Sequence, residues 1–179
     1  ILGFAVDRFD NNKLYIGHNS SGDEPIWVYD INSAKVLSKI EISEKIGRIH
    51  SIFIKDKNEM IVYGTSKPFI YVIEKSGPSA GKVKKKISIQ IKGAPPQAAA
   101  ARQIFYDRFT DEIYVVNRGG TPGAGNAITN KRYGRIQAFS YKTGNLIREW
   151  IGLNQPHGLA IDRSKGVMYV ANTKDNEIR

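Results

Sequence analysis

The 179-residue sequence predicts an all-β fold built from a repeat, and three observations carry that reading. One pattern recurs four times: Leu14-Tyr15-Ile16, Ile61-Val62-Tyr63, Ile113-Tyr114-Val115 and Val167-Met168-Tyr169 share a column, 47, 52 and 54 residues apart. Each copy is made of short β-branched and aromatic runs punctuated by turn formers such as Lys142-Thr143-Gly144-Asn145. The runs keep one order from copy to copy. A period near 50 residues belongs to propeller blades or solenoids, and four short antiparallel strands in a repeat of that length describe a β-propeller blade.

The first run of each copy is Phe4-Ala5-Val6, Ile52-Phe53-Ile54, Ile104-Phe105-Tyr106 or Leu159-Ala160-Ile161, and it ends in a charged turn. The shared column forms the second strand. Ile26-Trp27-Val28-Tyr29, Phe69-Ile70-Tyr71-Val72 and Ile136-Gln137-Ala138-Phe139 form the third. The fourth alternates apolar and polar residues, most plainly over Lys86-Ile87-Ser88-Ile89-Gln90-Ile91-Lys92, as a half-buried strand does.

Three full blades are expected, at roughly 3–47, 48–98 and 99–153, and an incomplete fourth at 154–179. A propeller needs about four to eight blades to protect its sheet edges. The chain also starts at Ile1 rather than Met. The expectation is therefore a single propeller domain that continues beyond this stretch into a six- or seven-bladed ring. Taken alone, the stretch would expose apolar blade faces.

Composition agrees with a β-rich domain: 41% of residues are hydrophobic and 10% aromatic, and no run approaches the ~18 apolar residues of a transmembrane helix. The absence of cysteine excludes disulfides and thiolate metal sites. Asn19-Ser20-Ser21 matches the N-glycosylation triplet. These features leave the compartment open, with an extracytoplasmic place (secreted, periplasmic or cell surface) fitting best.

The stretch GRIQAFSYKTGNLIREWIGLNQPHGLAIDRSKGVMYVAN resembles the NHL repeat and the related YVTN propeller repeat. In both, a strand pair, a Gly turn and a Pro-x-Gly-hydrophobic-Ala-hydrophobic-Asp segment follow one another. The resemblance is best over residues 101–179, fair over 3–42 and weak over 48–92. It implies a propeller, and with it a binding scaffold for a protein partner or small ligand rather than any one chemistry.

Lys plus Arg exceed Asp plus Glu by 27 to 17, a net charge of +10 that attracts acidic surfaces. The densest cluster is Lys82, Lys84, Lys85 and Lys86, where a turn enters an outermost strand. Lysines in that place guard an edge against aggregation. Without a nucleic-acid module or interleaved aromatics beside them, nucleic acid is not an expected partner. Asp7-Arg8, Asp107-Arg108 and Asp162-Arg163 recur in the turn after the first strand, where a carboxylate can take backbone amides and close the turn. In the second copy Lys55-Asp56 stands there instead. The insertion with Gly119, Gly120, Gly123 and Gly125 lacks the Lys and Ser/Thr of a phosphate loop, and it reads as a contact loop between the second and third strands.

The slot at the start of each first strand, nearest a propeller's central channel, holds Leu2, His50, Arg102 and His157 in turn. These are the axial binding candidates. His50 and His157, two repeats apart, could also share a metal, because neutral imidazole ligates Zn²⁺. This arrangement resembles the peptidyl-α-hydroxyglycine α-amidating lyases. That resemblance implies an axial zinc, with calcium the other candidate ion, and histidines in segments similar to Ile49-His50-Ser51 and Pro156-His157-Gly158. The family's catalytic Tyr and Arg find only Asn19 and Ser20, and Ser66 and Lys67, at the matching turns, and its Met before Pro-His is Gln155. No catalytic residue is assigned. The reading carried forward is a non-catalytic scaffold without a cofactor, and the alternative is a metal-dependent lyase or hydrolase with its site on the axis.

Overall fold

The computed structural model describes residues 3–10, 12–18, 25–94, 99–119 and 133–179. The first sheet runs β1 (Gly3–Asp7), β2 (Lys13–Gly17), β3 (Ile26–Asp30) and β4 (Val36–Ile40). The second is β5 (Ile49–Ile54), β6 (Glu59–Gly64), β7 (Phe69–Glu74) and β8 (Val83–Ser88). The third is β9 (Ala101–Asp107), β10 (Glu112–Asn117), β11 (Gly134–Ser140) and β12 (Leu146–Leu153). The last holds β13 (Pro156–Asp162), β14 (Val167–Asn172) and the two-residue β15 (Glu177–Ile178), with a 3₁₀ turn at Thr173–Asp175 before it. Every sheet is an antiparallel meander in chain order. The repeating column of the sequence is therefore the second strand of each sheet.

The chain divides into two compact units, Ile1–Ser88 and Ile89–Arg179. In the first unit β1 and β2 lie against β5, and the two sheets enclose a core that includes Tyr15, Ile26, Ile49, Met60 and Tyr71. In the second, Val116, Ile136 and Ala138 pack against Leu153, Leu159 and Val170. Each of the Ile, Leu, Val and Met side chains among them contributes roughly 1.5–3 kcal/mol on burial. The central strands β6 and β10 are buried at every position, whereas the outermost β4 and β12 are exposed at all but their last.

The last position of the second strand shows how one backbone accommodates the incoming chain in two ways. Gly17 and Gly64 occupy it in the first unit. A Cβ on Gly64 would lie 2.2 Å from the carbonyl oxygen of Ile46, and one on Gly17 would lie 2.4 Å from Ile49 Cγ2. In the second unit the slot holds the fully buried Asn117 and Asn172, which bond the connector instead of yielding to it. Asn117 Oδ1 accepts from the amides of Ala100 (3.0 Å) and Gly119 (3.2 Å), and Asn172 Oδ1 from that of Asn154 (2.5 Å).

One expected strand is shorter than its pattern. The alternation over 86–92 predicts a strand throughout, but β8 ends at Ser88, because Ser88 is already opposite Phe69, the first residue of β7. Ile89 and Ile91 stay buried and Gln90 exposed, so the apolar side of the pattern persists where the ladder has stopped.

Candidate functional site

The slot picked out at the start of the first strand is a β-bulge in each of its three described copies. Ile49 is opposite Gly64 and Ser51 opposite Tyr63, which leaves His50 as the extra residue. Gln103 pairs with Val116 and Ala101 with Asn117, which leaves Arg102. Pro156 pairs with Asn172 and Gly158 with Ala171, which leaves His157. Bulges bend a strand and re-aim a side chain, and they gather beside functional sites. Leu2, the fourth member of the series, lies outside the described residues.

Around this slot the second unit builds a cationic cluster. His157 is exposed and Arg102 half-buried. The imidazole is held below its ordinary pKa by partial desolvation, then by the positive charges of Arg102 and Arg118. Arg118, directly after β10, donates from Nε and Nη2 to Gln155 Oε1 at 3.2 and 2.8 Å. Gln155 is buried with φ +53°, a left-handed conformation fixed at the entry to β13. Sequence reasoning missed Arg118 and gave Gln155 no positive role. The available signal was position: each flanks an element that was singled out, Arg118 the Gly-rich insertion and Gln155 the Pro-His-Gly segment.

His50 belongs to the first unit, where its ring stands edge-on to Tyr63 with centroids 6.3 Å apart. Among the described residues no group of three His, Asp or Glu side chains could hold a metal ion. The donor set at His157 fits a cation poorly, since two guanidinium groups act on that imidazole. What the cluster suits is an anionic group, and the neutral imidazole next to it can serve as hydrogen-bond donor or acceptor.

The turn aspartates have a structural task. Asp7 Oδ1 accepts the amides of Phe9 (2.9 Å) and Asp10 (3.3 Å), and Asp107 Oδ1 that of Phe109 (3.0 Å). Asp162 takes Ser164 Oγ at 2.6 Å and the Lys165 amide at 3.2 Å. In the second sheet Asp56, one position later, does the same for Asn58 and Glu59 at 2.8 and 2.9 Å. The lysine cluster lies on the edge strand β8 and the turn before it. Lys84 pairs with Glu59 at 2.6 Å and Lys86 with Glu44 at 2.6 Å, so much of its charge is already met. Gly119 has φ +76° and its amide bonds Asn117; Gly120, Gly123 and Gly125 lie outside the described residues, as do Asn19, Ser20 and Ser21. At the other turn compared with the lyases, Ser66 Oγ donates to the carbonyl of Lys45, and the Lys67 carbonyl accepts from Phe69.

No protein-family model matches the chain, and no curated protein matches it. Solved structures do. The WD40 β-propeller domain of Doa1 superposes with a TM-score of 0.66 at 15% identity, covering 99% of this chain and 49% of that one. The β-propeller domain of Cps50 (Swd1) from Myceliophteria thermophila gives 0.65 at 10% identity, covering 98% and 51%. At such identity the likeness is one of fold: these are antiparallel blades of a β-propeller, three of four strands and the last of three. The chain spans about half the length of the solved structures it matches. Among the described residues no helix is long and apolar enough to cross a membrane.

Proposed function

We propose that this chain is a non-catalytic propeller of the NHL/YVTN kind, serving as a scaffold that binds a protein partner through the bulged starts of β9 and β13 in its second unit. The observation that carries the reading is the bulge itself, repeated at His50, Arg102 and His157 and charged in the second unit by Arg102 and Arg118. A bulge repeated at one slot with a polar, nitrogen-bearing side chain each time, histidine twice and arginine once, suits recognition on a fixed frame. The YVTN assignment is supported by Tyr114-Val115-Val116-Asn117 and Tyr169-Val170-Ala171-Asn172, whose asparagines bind the connectors of their own blades. An acidic side chain or chain terminus on the partner is the complement of the Arg102, Arg118 and His157 cluster.

The test is quantitative affinity purification of the full-length protein against an Arg102→Gln, Arg118→Gln, His157→Gln variant, with Lys84→Gln, Lys86→Gln as the edge-strand control. The scaffold reading expects a protein set lost in the first variant and kept in the control. If both variants retain the same set, docking through the bulges is wrong. Elemental analysis after equilibration with zinc addresses the lyase reading: stoichiometric zinc that disappears in His50→Ala and His157→Ala would replace the scaffold by a metal enzyme.

A further inference from the structure

The first unit contains a cleft of about 490 Å³, with no bulge residue in its lining, that the scaffold reading does not use. Its wall is apolar on one part, from Phe9, Val28, Ile40 and Ala80, and carries four lysines on the other: Lys13, Lys39, Lys57 and Lys75. They come from four separate segments, which are β2, β4, the turn between β5 and β6, and the residue after β7. Two carboxylates stand against them. Asp10 pairs with Lys13 at 2.5 Å, and Asp7 takes the buried Lys75. Among the described residues Lys39 and Lys57 meet no carboxylate. Lys39 Nζ instead lies 4.1 Å from the centroid of the Trp27 ring, and Lys57 is exposed. With Lys13 paired to Asp10 and Lys75 to Asp7, Lys39 and Lys57 are the lining lysines whose two positive charges no carboxylate meets among the described residues. The hydroxyl residues Ser38 and Ser76 line it as well.

We propose that this cleft binds a compact anion bearing two or more phosphate groups, held by Lys39 and Lys57, with its uncharged part against Val28, Ile40 and Ala80. Ammonium groups act as point-charge phosphate binders, and cations brought from separated segments favour an anion whose charges are themselves separated. The volume falls within the roughly 300–1,000 Å³ of small-molecule sites and exceeds what a single inorganic ion fills. The phosphates could belong to a soluble metabolite or to a phosphorylated lipid headgroup; the recognition chemistry is shared.

The test is calorimetric titration of the full-length protein with inorganic pyrophosphate, together with flotation on phosphatidylcholine vesicles with and without phosphatidylinositol phosphates. Saturable pyrophosphate binding, weakened at least about tenfold in Lys39→Gln and in Lys57→Gln as a charged hydrogen bond is lost, is the expected result. Lys84→Gln, outside the cleft, should bind as the parent does. Flotation only on the phosphoinositide vesicles, lost in the same two variants, supports the lipid source; pyrophosphate binding without flotation supports the soluble one. No saturable binding of either probe, or equal binding by Lys39→Gln and Lys57→Gln proteins that keep the parent circular dichroism spectrum, overturns the proposal.

Discussion

Lys75 closes on Asp7 across two neighbouring sheets, its ammonium on Oδ2 while Oδ1 of the same carboxylate receives the amides of Phe9 and Asp10. Both side chains are almost wholly buried, Asp7 at 1% and Lys75 at 4% exposure. A turn closure and an inter-sheet tie thus share one carboxylate. The second unit repeats the device: Asp107 closes its turn on Phe109 and pairs with Arg163 from the next sheet, which also lies 4.5 Å over the Phe109 ring.

Removing one partner of the Asp7 and Lys75 pair should cost far more than removing both. Lys75→Met strands a buried carboxylate and is expected to destabilise by about 3–5 kcal/mol. Asp7→Asn added to it should recover a large part of that, since Asn can still accept at the turn. Denaturant unfolding of the two single variants and the double variant checks this; simple additivity would show that the pair is not coupled.

The connector slots give a second expectation. Asn117→Ala leaves the buried Ala100 and Gly119 amides without their acceptor, a loss of about 1–3 kcal/mol. Gly64→Ala should also destabilise, because the new methyl meets the Ile46 carbonyl oxygen. Thermal melts compare the two with an exposed control such as Lys142→Ala, expected near the parent.

Much of this was legible in the sequence, for a physical reason. The strands repeat at a period near 50 because each sheet is the same meander, and the second strand is buried at every position in β6 and β10, which stand out in the chain as apolar runs. The turn aspartates were read correctly because their task is local. The bulges were not foreseen: a bulge inserts one residue into a register that only the partner strand reveals, so the sequence marks the slot of His50, Arg102 and His157 without marking it as bulged. Arg118 and Lys75 were missed because their partners, Gln155 and Asp7, lie 37 and 68 residues away. The end of β8 at Ser88 was hidden in the same way, since the alternation to Ile91 reports burial and not the ladder.

His157 should titrate below the ordinary histidine range, and Arg118→Gln should raise its pKa. A folded-state value below the unfolded one means that the unfolded chain binds the proton first. The contribution of His157 to stability is therefore fully present above about pH 6.5 and is lost as pH falls toward the folded value. NMR titration of the imidazole resonances reads this directly, and a midpoint at or above 6.5 would contradict the cationic surroundings assigned to it.

Phe4 and Val6 on β1 are 66% and 57% exposed, and Tyr169 and Ile178 in the last sheet are 41% and 69% exposed. The 179-residue chain by itself is expected to self-associate and to bind hydrophobic dyes. Phe4→Lys with Val6→Thr should reduce both effects. Sedimentation showing a monomer with a reversible two-state melt would count against this.

Hydrogen exchange of the full-length protein, alone and with the partner captured through the bulges, addresses the scaffold most directly. Protection on binding is predicted at residues 101–103 and 156–158 and at Arg118, with the outermost strands β4, β8 and β12 unchanged. Protection confined to those outer strands, with the bulged starts of β9 and β13 exchanging as before, would contradict it.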